Sequence, residues 1–405
     1  MQTVSEIRKE GQAAFQTAAL AGRHLGETAI RILHVVPRLG LGGTERTLLR
    51  VIRELGDREF QHSICAVRGV DEAFLREAGL RLPIFSAGTP DPGFQFPLFR
   101  LARIMRQVRP NIVHSRNFGA LDAVLAARLA RVPFAIHSEH GYELEILRGL
   151  PLRRRLMYRA IYPAANYLFT VTEDLRDFHA RQSWVSSTKF HIVRNGINIE
   201  TFSNHRELGR GFRERFNIPE DRLVVGSVGR IVPIKGYGTL LEGAELALAK
   251  GPNLHVLLVG SGPELTNLKA YVRSSRVLNG RATFVDATPH VAEALNAMDI
   301  FVLPSFSEGM SNTVLEAMAT ERPVLLTSTG GNVELVQEGV QGFFFSPGDA
   351  AGLAELIVRL ASDLSRREVM GLAGRQQVEV RFSLSQMIAT YRDLYLKAAL
   401  QESGN

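Results

Sequence analysis

Two carboxylates, Glu308 and Glu316, stand eight positions apart around a turn that contains Ser307, Gly309, Met310 and Ser311. The apolar run at 299–304 before them reads as a buried strand, and Asn312 onward reads as the start of a helix. A glycine-rich turn at a helix N-terminus offers unpaired backbone N–H groups to an anion. Glu308 falls in that turn, and Glu316 about one helical turn or slightly more into the helix, so both can face one crevice from either side of a bound phosphate. Carboxylates repel phosphate, and hydroxyl groups are the partners that suit them. A ligand with phosphate in the middle and polyols at both ends meets these demands, and a nucleotide sugar has that form. A plain strand–turn–helix with two solvated glutamates would carry the same letters.

Other turns carry related chemistry. Arg230 and Lys235 lie five apart between Gly229 and Gly236, just after a strand-like run, where two cations suit a diphosphate. Gly40, Gly42 and Gly43 separate a first strand from a first helix. Glu45 and Arg46 stand where the last glycine of a dinucleotide fingerprint would fall, so a nicotinamide role gains little support. What remains is a tight turn exposing amides. The turn at Gly260 reads as a helix cap, and Gly330 with Gly331 can add amides to the same cleft.

These turns must be held by something, and the apolar pattern shows what. Strand-like runs at 31–37, 62–67, 111–114, 134–137, 167–172 and 189–193 alternate with helical stretches. The rhythm restarts at 222–228, 254–259, 282–285, 300–303, 323–327 and 342–345. Repeated βα units predict parallel sheets with helices on both faces. The expectation is an α/β chain of two doubly wound, Rossmann-like domains facing across a cleft, with ligands beyond the C-terminal strand ends. The boundaries expected are an N-terminal extension at 1–30, a first domain at 31–205, a linker at 206–221, a second domain at 222–380, and a C-terminal helix at 381–405 packing back on the first domain.

At 405 residues and 45% hydrophobic content, the chain suits two globular domains. The single cysteine, Cys65, excludes an intrachain disulfide and fits a reducing compartment. No apolar run is long enough to span a bilayer, and Gln12 and Gln16 interrupt what would otherwise resemble a signal peptide. The formal net charge of +7 comes from the first 200 residues, the remainder being slightly acidic. A basic half points to an anionic surface. Nucleic acid and membrane are both candidates, but no helix-turn-helix, zinc or RNA-reading motif is present, so nucleic acid is not expected as a partner.

As a set, the motifs resemble those of retaining glycosyltransferases of the GT-B fold, in the family 4 group that carries Glu-x7-Glu. The resemblance spans roughly residues 31–395 and rests on Gly42-Gly43-x-Glu45, His140-Gly141, Arg194-Asn195-Gly196, Gly229-Arg230 with Lys235-Gly236, Glu308 with Glu316, Gly330-Gly331 and Pro347-Gly348-Asp349, in the family's order. It implies that Arg230 and Lys235 hold the donor diphosphate and stabilise the leaving nucleotide. Amides of Gly42 and Gly43 would face that diphosphate from the other domain. Glu316 would take the ribose hydroxyls. Glu308, with the amides of Gly309, Met310 and Ser311, would hold the donor sugar, and His140 would lie near the reacting carbon. The departing phosphate is commonly held to deprotonate the acceptor in this family, so no protein base is assigned. Asp-x-Asp, usual in metal-dependent sugar transferases, does not occur, and neither metal nor cofactor is expected. The chain departs from the family at Asn198, where many members have Asp, at Asp286 near the place of the nucleotide base, and at Glu321, where Gly is usual.

The implied activity is transfer of a sugar, with retention, from a nucleotide-diphosphate sugar (a UDP-sugar by family frequency) to a glycan or lipid-linked acceptor in bacterial cell-surface polysaccharide synthesis. A GT-B epimerase and a non-catalytic nucleotide-sugar-binding protein are the alternatives. The basic segment 148–159 adds an expectation about place. Beyond Pro151, Leu152, Leu156, Met157, Ala160 and Ile161 share one helical face, with Arg153, Arg154, Arg155 and Arg159 around it. Such a helix can rest on anionic lipid, which would put a cytoplasmic enzyme on the inner face of the membrane.

Overall fold

The computed structural model describes residues 29–40, 42–79, 82–88, 97–142 and 149–402. The expectations for most of the extension and for Arg148 lie outside these residues.

Among the described residues, thirteen strands form two sheets. In the first, β1 (Ile30–Val36), β2 (Phe60–Ala66), β3 (Ile84–Ser86), β4 (Ile112–Arg116), β5 (Phe134–Glu139), β6 (Tyr167–Thr170) and β7 (Phe190–Ile192) run in the order β3-β2-β1-β4-β5-β6-β7. In the second, β8 (Leu223–Val228), β9 (Leu254–Val259), β10 (Ala282–Val285), β11 (Ile300–Leu303), β12 (Val324–Thr327) and β13 (Gly342–Phe345) run in the order β10-β9-β8-β11-β12-β13. All recorded pairings are parallel. In both sheets the strand order reverses beside the first strand of the set, which opens a crevice at the C-terminal strand ends. Strand β3 has no counterpart among the expected strands. It is a three-residue edge strand, half-buried at Ile84 and Phe85, too short to leave a hydrophobic signature.

One face of the first sheet is covered by helices Leu98–Val108 and Asp122–Leu129, which bury Leu101, Met105, Ala123 and Ala127 against Leu33, Val35 and Val113. The other face is covered by the C-terminal helix Leu384–Glu402. It inserts Met387, Tyr391, Leu394 and Tyr395 against Ile32, Phe60, Ile136 and Phe169. In the second domain, Tyr237–Ala249 and Ala350–Ala361 pack together on one side of β8, β9 and β11, and Asn312–Ala319 closes the other side.

Two stretches differ from their sequence reading. Much of the 206–221 linker is helix, Arg206–Arg215, packed on Val291–Asn296, where a Cβ on Gly209 would fall 2.3 Å from the Asn296 carbonyl oxygen. Its buried Phe212 makes it part of the second domain. In the basic helix Leu152–Ile161 the expected apolar face is divided between solvent and core. Leu152 and Leu156 are 62% and 53% exposed, and Tyr158 and Ile161 are the buried residues. Arg154 lies 3.8 Å over the Phe118 ring and Arg155 4.1 Å over Trp184, so cation–π contacts hold these two half-buried, while Arg153 and Arg159 stay exposed and Arg159 donates to the Trp184 carbonyl.

Candidate active site

The turn after β11 is held from below. Ser305, fully buried, donates to Glu308 Oε1, and Thr327 Oγ1 donates to the Ser305 carbonyl at 2.6 Å. Gly331 N–H donates to the Glu308 carbonyl at 3.0 Å, so the Gly330-Gly331 turn braces the loop. On its other side, Gly236 has φ +63, and a Cβ there would lie 2.2 Å from the Pro304 carbonyl oxygen. Only glycine allows this approach, and it sets Lys235 beside Glu308, with Nζ 2.5 Å from Oε1. Both side chains are largely buried, at 17% and 10% exposure, so the pair is shielded from water.

Glu316 lies in helix Asn312–Ala319, buried beneath the first domain. Burial pushes its carboxyl up to about 7, against the opposing pull of Arg50 and Arg46 on helix Gly43–Leu55. These arginines place the first domain's helix over the second domain's helix start. Hydrogen bonds fix the crossing: Asn312 Nδ2 donates to Thr47 Oγ1 at 3.3 Å, and Asn195 Nδ2 to Asn312 Oδ1 at 2.9 Å.

The Gly42-Gly43 turn opens helix Gly43–Leu55, and its N-cap, Gly42, has no side chain to cap the first amides. Glu45 folds back over this turn; its Oε2 would be 2.1 Å from a Cβ on Gly42. Burial raises the Glu45 carboxyl above the usual range, partly offset by a hydrogen bond from its own backbone amide and then by Arg230 and Arg116. Arg230 therefore faces the first domain's glycine turn across the cleft.

His140 follows β5. Its backbone N–H donates to Asn117 Oδ1 at 3.0 Å, and Nε2 sits 2.8 Å from Ser138 Oγ. Its carbonyl packs on the turn of the other domain, since a Cβ on Gly309 would lie 2.5 Å from it. Burial first, then Arg116, hold the imidazole down to about 3, so it is neutral at ordinary pH. Met310 Sδ accepts from Asn195 N–H at 3.2 Å, and Ser311 Oγ lies 3.1 Å from Thr313 Oγ1.

The structure thus brings the residues singled out from sequence to facing edges of two domains. Arg230, Lys235, Glu308 to Ser311 and Glu316 come from the second domain, and Gly42, Gly43 and His140 from the first. It adds Ser305, Asn312, Asn195 and Arg116. Ser305, Asn312 and Asn195 lie within or beside motifs already recognised. Arg116 had no signal, because an arginine after an apolar run reads as a strand end.

Comparison with known proteins bears on what such a cleft does. Residues 41–201 match the family model described as Glycosyltransferase Family 4, and residues 222–363 match Glycosyl transferases group 1. The chain is 29% identical over 316 residues to the capsular polysaccharide biosynthesis glycosyltransferase CapM of Staphylococcus aureus, covering 76% of this chain and 81% of that one. It is 24% identical over 376 residues to an Escherichia coli UDP-Gal:alpha-D-GlcNAc-diphosphoundecaprenol alpha-1,3-galactosyltransferase, covering 91% and 97%. Among solved structures, Anabaena Alr3699/HepE in complex with UDP superposes with a TM-score of 0.78 at 19% identity, over 90% of this chain and 99% of that one, which establishes the GT-B fold. Two successive family models spanning both domains, on this fold, show that the chain belongs to the group 1, family 4 glycosyltransferases.

Proposed function

We propose that this enzyme transfers a sugar, with retention and without a metal, from a UDP-sugar to a glycan or lipid-linked acceptor in cell-surface polysaccharide synthesis. One observation carries the reading: Arg230 and the Lys235–Glu308 pair meet the Gly42-Gly43 turn and His140 across one cleft, with Glu316 buried beside it. The printed names of the relatives support the donor and setting. One is a capsular polysaccharide enzyme and another uses UDP-Gal on a diphosphoundecaprenol acceptor.

In the proposed reaction the bond between the anomeric carbon and the diphosphate oxygen breaks, and its electron pair leaves with the nucleotide. Arg230 and Lys235 neutralise the charge that develops there, which lowers the barrier in a water-poor site. Lys235 turns from Glu308 toward the diphosphate as the donor enters, and Glu308 turns to the sugar hydroxyls. The acceptor oxygen attacks the face the nucleotide leaves, and its proton passes to the departing phosphate. Glu316 as carboxylate accepts from the ribose hydroxyls. Leu152 and Leu156, exposed on the helix that carries Arg153, and Trp184, exposed beside Arg155 and Arg159, are the proposed contact with anionic lipid at the inner membrane face, each nearby cation adding about 1 kcal/mol. Among the described residues no helix is long and apolar enough to cross a membrane.

Heat unfolding with UDP-, GDP- and ADP-sugars tests the donor, since a bound ligand raises the midpoint. UDP-sugars should give the largest rise, and turnover should survive EDTA. No rise with any nucleotide sugar, an inverted anomeric centre in the product, or loss with EDTA that a divalent ion restores would each remove part of the proposal.

A further inference from the structure

Arg116 is fully buried at the end of β4, yet the hydrogen bonds recorded for it go to histidines, tyrosines and a carbonyl, and none to a carboxylate. A guanidinium only donates. Each imidazole nitrogen that Arg116 reaches must therefore present a lone pair, and the proton on that ring must sit on the other nitrogen.

The consequence can be followed bond by bond. Arg116 Nη2 lies 3.3 Å from His114 Nδ1, and Tyr395 Oη lies 2.8 Å from the same nitrogen. Arg116 has only hydrogens to offer Nδ1, so that nitrogen is the acceptor and the tyrosine hydrogen points to it as well. His114 therefore carries its proton on Nε2, 3.1 Å from Ser138 Oγ, and donates to it. The Ser138 hydrogen then has two acceptors in reach, His140 Nε2 at 2.8 Å and the Ser115 carbonyl at 3.4 Å. The shorter contact wins, so His140 Nε2 accepts and the His140 proton rests on Nδ1. Burial and the Arg116 charge both hold His114 and His140 neutral, so each ring has a single proton to place.

We propose that Arg116, Tyr395, His114 and Ser138 form a one-way hydrogen-bond chain that fixes His140 as the Nδ1–H tautomer, so that its free ring nitrogen offers the cleft a donor and not a lone pair. These are positioning residues for His140, and the inference rests on the proposed function, in which His140 faces the donor across the cleft. The group it would meet is an acceptor oxygen, on the sugar or on the diphosphate. A second arm from the same hub shows the same rule: Arg116 Nη1 is 3.1 Å from His34 Nδ1, and His34 Nε2 is 2.9 Å from His62 Nδ1. That arm ends at His62 Nε2, buried and without a partner among the described residues. Only the arm through Ser138 ends at the cleft.

The test is nitrogen NMR of the full chain with 15N-labelled histidine, His140 being assigned by substitution. In the parent protein, His140 Nδ1 should carry the proton. In Ser138→Ala the preference should be lost, and kcat should fall roughly three- to tenfold, the worth of one neutral hydrogen bond, with UDP affinity unchanged. His114→Gln, which keeps a donor toward Ser138, should retain most of the rate that His114→Leu loses. A proton on Nε2 of His140 in the parent, or an unaltered tautomer in Ser138→Ala, overturns the proposal. The tautomer is read without any transfer reaction, so an inactive preparation with Nδ1–H would count against the proposed sugar chemistry and leave the chain standing. The parent spectrum decides even if a variant does not fold.

Discussion

In the first domain the strands themselves bury His34, Ser63, His114, Ser115, Arg116, His137, Ser138, Glu139 and Thr170, nine polar or ionisable side chains in the interior of one sheet. In the second domain β8, β9, β11 and β12 are apolar apart from Ser227, His255 and Thr327, and the charged groups stand on the loops beyond them. The difference shows two ways to hold chemistry. The second domain mounts Arg230, Lys235 and Glu308 on glycine-shaped turns, and Glu316 on a helix, over a hydrocarbon core. The first sinks a hydrogen-bonded network into the sheet and lets only its end, His140, reach the cleft. A buried network rigidifies what it holds, but every member must stay satisfied.

The largest expected effect of this contrast is on acid stability. Burial, aided by Arg116, holds His34 and His114 well below the usual imidazole range, His62 down to about 4 and His140 to about 3. In the unfolded chain each titrates near 6.5. Their stabilising effect is complete above that pH and is lost as pH falls toward 4, by several kcal/mol together. Trp184, the only tryptophan, belongs to the first domain and reports on it by fluorescence in urea. Midpoints that stay level from pH 6.5 to pH 4.5 would break the comparison.

The second domain should respond in the opposite sense. The Glu316 carboxyl is raised by burial from 4.5 to about 7. Such a group stabilises fully below its unfolded value and ceases to do so as pH rises through the folded one. Glu316→Gln fixes the neutral form. Relative to that variant, the parent should lose about 3 kcal/mol between pH 4.5 and 7, read from urea curves of both proteins. Parallel curves would mean that Arg46 and Arg50 already hold the carboxylate charged.

Next in size are the loop cations. Arg230→Ala or Lys235→Ala should slow turnover about a hundredfold, the effect of one lost transition-state donor, with the fold retained because both lie on a loop over an apolar core. Near-parent rates in both variants would show that the loop cations do not act on the leaving group. The smallest effect concerns backbone strain. Glu321 has φ +62, a left-handed conformation that costs a residue with a side chain about 1 kcal/mol. Glu321→Gly should stabilise by less than about 1 kcal/mol, since the Asn204 bond to its carboxylate at 2.7 Å goes with the side chain. A clear loss of stability would mean that bond outweighs the strain.

The contrast also explains what could be read from the letters. All six strands of the second sheet stand out as apolar runs, and Gly229, Gly236, Gly309, Gly330 and Gly331 mark the turns where backbones nearly touch. Glu308 and Lys235 were legible as site residues but not as partners, because nothing local says that the loops at 229–236 and 304–311 meet. In the first domain, β4 was read only as far as His114, since Ser115 and Arg116 look like the way out of a strand. Their burial depends on acceptors from β1, β5 and the C-terminal helix, which no window of sequence contains. The cation–π contacts of the basic helix were hidden for the same reason: Phe118 and Trp184, the rings that Arg154 and Arg155 meet, lie far from it in the chain.

The position of Tyr391 and Tyr395 has a consequence for the order in which the protein can be finished. Domains commonly fold as they leave the ribosome, the N-terminal one first. Here the aromatic hydroxyls that partner Arg116, and the apolar face that closes one side of the first sheet, belong to helix Leu384–Glu402. While the second domain is still being synthesised, the nascent first domain carries an uncovered sheet face and a guanidinium lacking two of its acceptors. The first half of the molecule to be made is therefore the last to be completed, and a ribosome stalled between the domains would hold a sheet open to chaperones.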